Sequence, residues 1–239
     1  MSDRKFCIRT TNEIPPRKSY APSLDGRSEQ SRPITLKSSY LFIFLTISFF
    51  PFAFSQPNDV FILADDLGVG DVGAYGGKVI ETPHIDALAS GGAIFSQAYA
   101  THPVCSPSRA GLMSGRYQQR HGWEFNPAGR DRNIGMDDSQ ITLAEMLQDA
   151  GYTTSLIGKW HLGYLPAFHP LNRGFDKFFG LLAGGSIFIN QSRPDVESVG
   201  DWPLKRTESN GIHEQNNLVR IDGYLTDAIT EQAVDFIRK

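Results

Sequence analysis

Cysteine is scarce: the 239 residues contain only Cys7 and Cys105, too few for a disulfide framework. Long apolar runs are also missing. A spanning helix needs roughly 20 apolar residues, and the run Leu41 to Phe50 stops at Pro51. There is no excess of positive charge, since the formal net charge is −3. Eight of the 23 Lys/Arg and four of the 26 Asp/Glu fall in the first 55 residues, which leaves a formal −7 from position 56 onward. That balance carries no nucleic-acid footprint. Internal repeats and long flexible linkers are absent before residue 180. With 40% apolar and 21% charged residues, the chain has the composition of a folded protein with a real core rather than a low-complexity or disordered one.

The first 55 residues differ in composition from the rest. A basic, mostly polar stretch precedes the ten-residue apolar run at 41–50, and Ala53-Phe54-Ser55 places small residues where a signal peptidase reads them. The expectation is a leader over residues 1–55, cleaved after Ser55, and an exported protein; an uncleaved anchor is the weaker reading. Cys7 leaves with such a leader. Cys105 then stands without an intrachain partner in an oxidising compartment, where it is buried and inert, paired between chains, or chemically used.

From Pro57 onward short apolar runs alternate with helical segments, the pattern of one α/β domain. Val60 to Ala64 is apolar without alternation, as expected of a parallel strand covered on both faces, and it ends in Asp65-Asp66. Thr82-Pro83 opens a helix that Gly91-Gly92 closes. Thr142 and Glu145 form a capping box at the head of a second helix, which ends at Gly151. A strand over 153–157 runs into Gly158-Lys159-Trp160-His161. Residues 181–222, rich in Gly, Ser, Asn and Pro, read as a long loop. Leu225, Ile229, Ala233, Phe236 and Ile237 recur at helical spacing.

Two polar clusters, Asp65-Asp66 and Lys159/His161, sit at strand ends, where open α/β sheets gather their reactive groups. Adjacent carboxylates repel unless a cation or buried donors offset them, so the aspartates suit either a hard divalent metal or a solvated turn. The segment Val104-Cys-Ser-Pro-Ser-Arg109 builds a helix N-terminus, with Ser106 as N-cap, Pro107 in the first turn and Ala110 to Met113 continuing the helix. Free backbone N–H groups there, with Arg109 nearby, favour an anion beside Cys105. That setting fits a thiolate of low pKa or a purely structural turn. His84, His102, His121, His169 and His213 belong to no motif; only His102, close to Cys105 in sequence, is a candidate for the pocket wall. Trp123, Trp160 and Trp202 read as core or pocket wall.

These residues resemble the type I sulfatases of the alkaline phosphatase superfamily. Cys105-Ser-Pro-Ser-Arg-Ala-Gly-Leu-Met-Ser-Gly-Arg116 fits the signature Cys-x-Pro-Ser-Arg followed by Leu-x-x-Gly-Arg, and Gly151-Tyr152 through Gly158-Lys-Trp-His-Leu-Gly163 fits the second signature. Val60 to Gly68, Thr82 to Ala89 and Arg173 to Gly180 are similar to further segments of the family. The resemblance is good over about 57–180 and weak beyond.

It implies an α/β fold with an alkaline phosphatase-like central sheet, mixed and mostly parallel, sandwiched by helices. It also implies that residues 56–239 are the N-terminal part of a catalytic domain, ending before the later strands and a smaller C-terminal subdomain. The implied activity is sulfuric ester hydrolysis on an aryl or carbohydrate sulfate. Cys105 would be oxidised to Cα-formylglycine (3-oxoalanine) by a formylglycine-generating enzyme that reads Pro107 and Arg109. One oxygen of the hydrated aldehyde attacks sulfur and the alcohol leaves; the second hydroxyl expels sulfate as the aldehyde re-forms. The resemblance makes Asp65, Asp66 and residue 105 ligands of one Ca2+ ion. Arg109 holds the hydrate, Lys159 binds sulfate and His161 contacts the diol. Ser186 is a weaker substrate-contact candidate. The family's remaining calcium ligands and its second His and Lys have no counterpart here, so the isolated chain is expected to be poorly active. Two alternatives stay open: a phosphate or phosphonate monoester hydrolase on the same scaffold, and a non-catalytic exported remnant.

Overall fold

The computed structural model describes residues 56–127, 133–189 and 211–239. The leader, its apolar run at 41–50, the cleavage site and Trp202 lie outside the described residues. No helix among the described residues is long and apolar enough to cross a membrane.

Among the described residues, four helices and four strands carry the architecture. Helix α1 spans Pro83–Ser90, α2 Cys105–Ser114, α3 Leu143–Asp149 and α4 Leu225–Ile237. The strands are β1 (Ser155–Lys159), β2 (Lys177–Leu181), β3 (Ile212–Glu214) and β4 (Asn217–Val219), in the order β1-β2-β3-β4. β1 and β2 are parallel, in register from Ser155↔Lys177 to Lys159↔Leu181; β3 is antiparallel to β2 and forms a hairpin with β4. The sheet is therefore mixed, as expected.

β2 is buried on both faces. Phe178 joins Ala110, Trp123, Met136, Ala144, Trp160, Leu162, Phe175 and Leu182 in one cluster, while Phe179 and Leu181 join Ile212 and Leu225 in another. Alternation along the strand thus sends successive side chains into two cores, one roofed by α2 and α3 and the other by α4. The β1–β2 pair tolerates no side chain at Gly180. Its φ is +152°, and a Cβ there would collide with the carbonyl oxygen of Gly158 on the paired strand.

All four helices occur where sequence signals call for them, although α2 begins two residues before the start that Ser106 as N-cap would set. The capping box at α3 is complete: Thr142 Oγ1 accepts from the Glu145 N–H (3.1 Å), and Glu145 Oε2 accepts from the Thr142 N–H (2.6 Å). The same turn receives Arg173, only 2% exposed, whose guanidinium pairs with Glu145 Oε1 (3.3 Å) and donates to the carbonyls of Met136 (3.1 Å) and Gln140 (2.6 Å). Replacing Arg173 by Met leaves two buried carbonyls without their donor and the Glu145 carboxylate without its cation. We expect Arg173→Met to cost about 3 kcal/mol in urea unfolding.

Three expectations are corrected. Val60 to Ala64 is extended but enters no ladder among the described residues, and Val60, Phe61 and Ile62 are exposed. Its composition suits a buried strand, but a strand also needs neighbours to pair with, which a local pattern does not report. The strand expected at 153–157 instead covers 155–159, because Thr154 is held outside the ladder: its N–H donates to Asp176 Oδ2 (2.8 Å) and its hydroxyl to the Gly174 carbonyl (2.6 Å). The expected loop 181–222 contains the β3–β4 hairpin, turned at Gln215-Asn216 with Gln215 at φ 55°.

Candidate active site

The site assembles where α2 begins and β1 ends. Helix α2 starts at Cys105 with Val104 as N-cap, so Ser106 is not the cap that its residue type suggested. The Ser106 hydroxyl is buried and spent elsewhere: it donates to the carbonyl of His161 (2.6 Å) and accepts from the Trp123 indole N–H (2.8 Å). Pro107 lies in the first turn as expected. Cys105 is a free, half-buried cysteine.

Arg109 lies one helical turn after Cys105, on the same face. Its Nη1 donates to the Lys159 carbonyl (2.5 Å) and its Nη2 to Asp65 Oδ2 (3.0 Å). Lys159, the last residue of β1, places Nζ 2.8 Å from the same Asp65 oxygen. The two cationic side chains are only 11% and 13% exposed, so their charges are poorly screened. Burial pushes the Asp65 carboxyl up, but hydrogen bonds and charge from Lys159 and Arg109 outweigh it and hold the carboxyl below its ordinary range. Asp66 follows at φ 63°, a left-handed turn that Asp tolerates better than most residues.

His161 follows Lys159 by two residues. Between them Trp160 enters the core and donates Nε1–H to the Phe168 carbonyl (2.8 Å). His161 is 4% exposed, sits at φ 64°, and its Nδ1 has no hydrogen-bond partner among the described residues. Burial, then the charges of Lys159 and Arg109, lower its pKa to about 4, so the imidazole is neutral at physiological pH. Gly184 packs against the ring, since a Cβ there would lie 2.5 Å from Cε1. We therefore expect Gly184→Ala to displace the His161 ring, read as a shift of its imidazole NMR signals, with a fall of less than about 1 kcal/mol in chemical denaturation.

The structure thus brings together Asp65, Arg109 and Lys159 directly, with Cys105 one turn from Arg109 and His161 beside Lys159. Ser186 lies two residues beyond Gly184 and is half-buried. His102 Nδ1 accepts from the Val104 N–H (3.2 Å), just before α2. His169 and His213 instead flank Phe178 in the core. Trp123 and Trp160 are core residues, as expected. Sequence reasoning missed Asn126, whose Oδ1 accepts from the Ser106 N–H (2.9 Å), and Gly184; the Gly184-Gly185 pair was the only local signal for the latter.

The aspartates have the oxygen donors that a hard cation prefers, but they are only two carboxylates, and Asp65 is engaged by two cations. Among the described residues no group of three or more His, Cys, Asp or Glu gathers to hold a metal ion. A calcium shell of six to eight oxygens is therefore only partly supplied by them.

A cysteine at a helix head, two buried cations and a neutral histidine at the carboxyl end of a parallel strand pair make a cluster suited to an anion on an α/β sheet. The sulfatase family model matches residues 57–239, and the chain belongs to the sulfatase family. N-acetylgalactosamine-6-sulfatase from Sus scrofa and from Homo sapiens are each 38% identical over 194 residues, covering 77% of this chain and 36% of theirs. Steryl-sulfatase of Homo sapiens is 43% identical over 157 residues, 61% of this chain and 27% of its own. The crystal structure of Ps i-CgsB superposes with a TM-score of 0.64 at 37% identity, covering 73% of this chain and 39% of that one. The chain thus spans about a third of the length of the curated relatives it matches.

Proposed function

We propose that the protein hydrolyses a sulfate ester, with residue 105 as the nucleophile after conversion to formylglycine. The observation that carries this reading is the convergence of Arg109 and Lys159 on one point beside the head of α2, with neutral His161 adjacent. Two buried cations suit a sulfate monoester anion and the charge that develops on its oxygens. Arg109 presents a planar fork to the oxygens at position 105, and Lys159 a point charge to the sulfate. His161, uncharged and with no partner for Nδ1 among the described residues, is able to take a proton from an attacking hydroxyl.

Formylglycine supplies a hydrated aldehyde with two hydroxyls, so that attack and release are separate steps on one residue. Its formation requires a formylglycine-generating enzyme, with Cys105, Pro107 and Arg109 in the recognised segment. The Asp65 and Asp66 carboxylates are the proposed first ligands of one Ca2+ ion, which would act as a Lewis acid on a sulfate oxygen. Asp66→Asn keeps a residue type tolerant of the left-handed turn, so we expect calcium affinity in calorimetry to fall about tenfold or more, with little change in unfolding measured in chelator. The leader composition supports export.

Two of the relatives favour a sulfated sugar as substrate. One carries N-acetylgalactosamine-6-sulfatase as its name, and Ps i-CgsB has also been solved with a neocarrahexaose. Parallel assays with 4-nitrophenyl sulfate, a sulfated galactosaminide and an aryl phosphonate test the proposal. Sulfate release that exceeds phosphonate turnover supports it. Preferred phosphonate cleavage by formylglycine-bearing protein rejects it.

A further inference from the structure

We propose that Ser106 is a positioning residue that sets the geometry between the side chain at position 105 and the His161 imidazole. The consequence for turnover rests on the sulfatase reading; the geometry does not. Ser106 is fully buried, and its hydroxyl is used twice, as donor to the His161 carbonyl (2.6 Å) and as acceptor from Trp123 Nε1–H (2.8 Å). Its backbone N–H, which has no intrahelical acceptor so near the helix start, donates to Asn126 Oδ1 (2.9 Å). Since an N–H requires an acceptor, this bond fixes the orientation of the Asn126 amide and turns Nδ2 toward the Cys105 sulfur, 4.0 Å away.

The residue next to the nucleophile therefore fastens two distant segments, at 123–126 and at 161. The second is the critical one. His161 sits at φ 64°, a left-handed region uncommon outside glycine, though histidine enters it more readily than most residues. Four contacts hold it there: its N–H donates to the Leu182 carbonyl (3.1 Å), its carbonyl accepts from Ser106, its ring is hydrogen-bonded to the Pro127 backbone, and Gly184 packs against the ring. Residues 105 and 161 are thereby joined through one peptide bond and one short hydrogen bond. Without the hydroxyl, a buried carbonyl and a buried indole N–H lose their partner, and rotation of the 161 peptide relieves both the lost bond and the unusual φ. A displacement on the order of 1 Å at a reacting group costs about a hundredfold in rate.

The test uses the full chain carrying the converted residue, with 4-nitrophenyl sulfate as substrate. Ser106→Ala is expected to lower kcat about ten- to a hundredfold with KM within about threefold, and Ser106→Thr, which keeps the hydroxyl, to recover most of the loss. Thr142→Ala, which removes the α3 cap at a cost of about 1 kcal/mol, controls for lost stability and is expected to keep kcat. Amide exchange of residues 160–163 is expected to quicken in Ser106→Ala and not in Thr142→Ala. A folded Ser106→Ala protein with kcat within about threefold of the parent overturns the proposal, as does unchanged exchange at 160–163. If Ser106→Ala does not fold, Ser106→Cys, which keeps the volume with a weaker donor, takes its place: quickened exchange at 160–163 supports the proposal and unchanged exchange overturns it. Where the parent protein releases too little sulfate for kinetics, the exchange data alone decide the role of Ser106: unchanged exchange at 160–163 overturns it.

Discussion

Cys105→Ala is expected to abolish sulfate-ester hydrolysis, lowering kcat by about 10⁴-fold or more while thermal unfolding stays close to that of the parent. The size follows from what is removed. A nucleophile that forms a covalent link cannot be replaced by the charges around it, and loss of such a residue typically leaves only the residual acceleration of the binding groups. Stability should change little, because residue 105 is half-buried at the first turn of α2 and its thiol belongs to neither core cluster. Cys105→Ser separates two parts of the idea. It restores an oxygen nucleophile but only one hydroxyl, so a single sulfate transfer to Ser and no steady turnover is the expected result, read by mass spectrometry of the intact protein. Multiple turnovers by Cys105→Ser would show that the second hydroxyl is not needed.

The second large effect is expected at Lys159. Lys159→Met should lower kcat/KM for a sulfate ester by about 10²- to 10³-fold, the range found when a preorganised charge is removed from a water-poor site. Methionine matches the length of the aliphatic stem, so packing at the end of β1 is preserved. Asp65 keeps its bond to Arg109 Nη2 (3.0 Å), and the Lys159 carbonyl that accepts from Arg109 belongs to the backbone and remains. The effect should therefore appear in kinetics, with denaturation shifted by less than about 1 kcal/mol. Asp65→Asn makes the contrasting case: Lys159 and Arg109, both largely buried, would face each other without the carboxylate that now offsets them. That variant should lose both activity and stability, whereas Lys159→Met should lose activity alone. Steady-state kinetics and urea titration on the pair distinguish these outcomes.

Much of this site was legible in the sequence because its parts lie in short, ordered segments. Arg109 is one turn from Cys105 on a helix whose start the proline and serines announce, and Lys159 and His161 close a strand that the apolar run marks. The same locality made the helices readable: the Thr142/Glu145 box and the periodic residues of α4 each act within a few positions. What the sequence did not disclose depends on partners far along the chain. Ser106 has the residue type of an N-cap, yet its hydroxyl goes to a carbonyl 55 residues away and an indole 17 residues away. Asn126 reaches back 20 residues to the same serine and lies in no pattern. Strands β3 and β4 are three residues each, too short for alternation to register, and their pairing with β2 is a long-range event. The segment Val60 to Ala64 shows the opposite error, since its apolarity describes an environment rather than a ladder.

The central claim is that residue 105, once converted to the aldehyde, is the chemical centre of a sulfate-ester hydrolase. It is tested most directly by preparing the protein with graded amounts of the formylglycine-generating enzyme. In each preparation the aldehyde fraction at residue 105 is measured by mass spectrometry, together with the rate of inorganic sulfate release. The account predicts that specific activity rises in proportion to the aldehyde fraction and passes through zero for protein that retains the thiol. Sulfate release by protein with an unconverted Cys105, at a rate independent of that fraction, would contradict it.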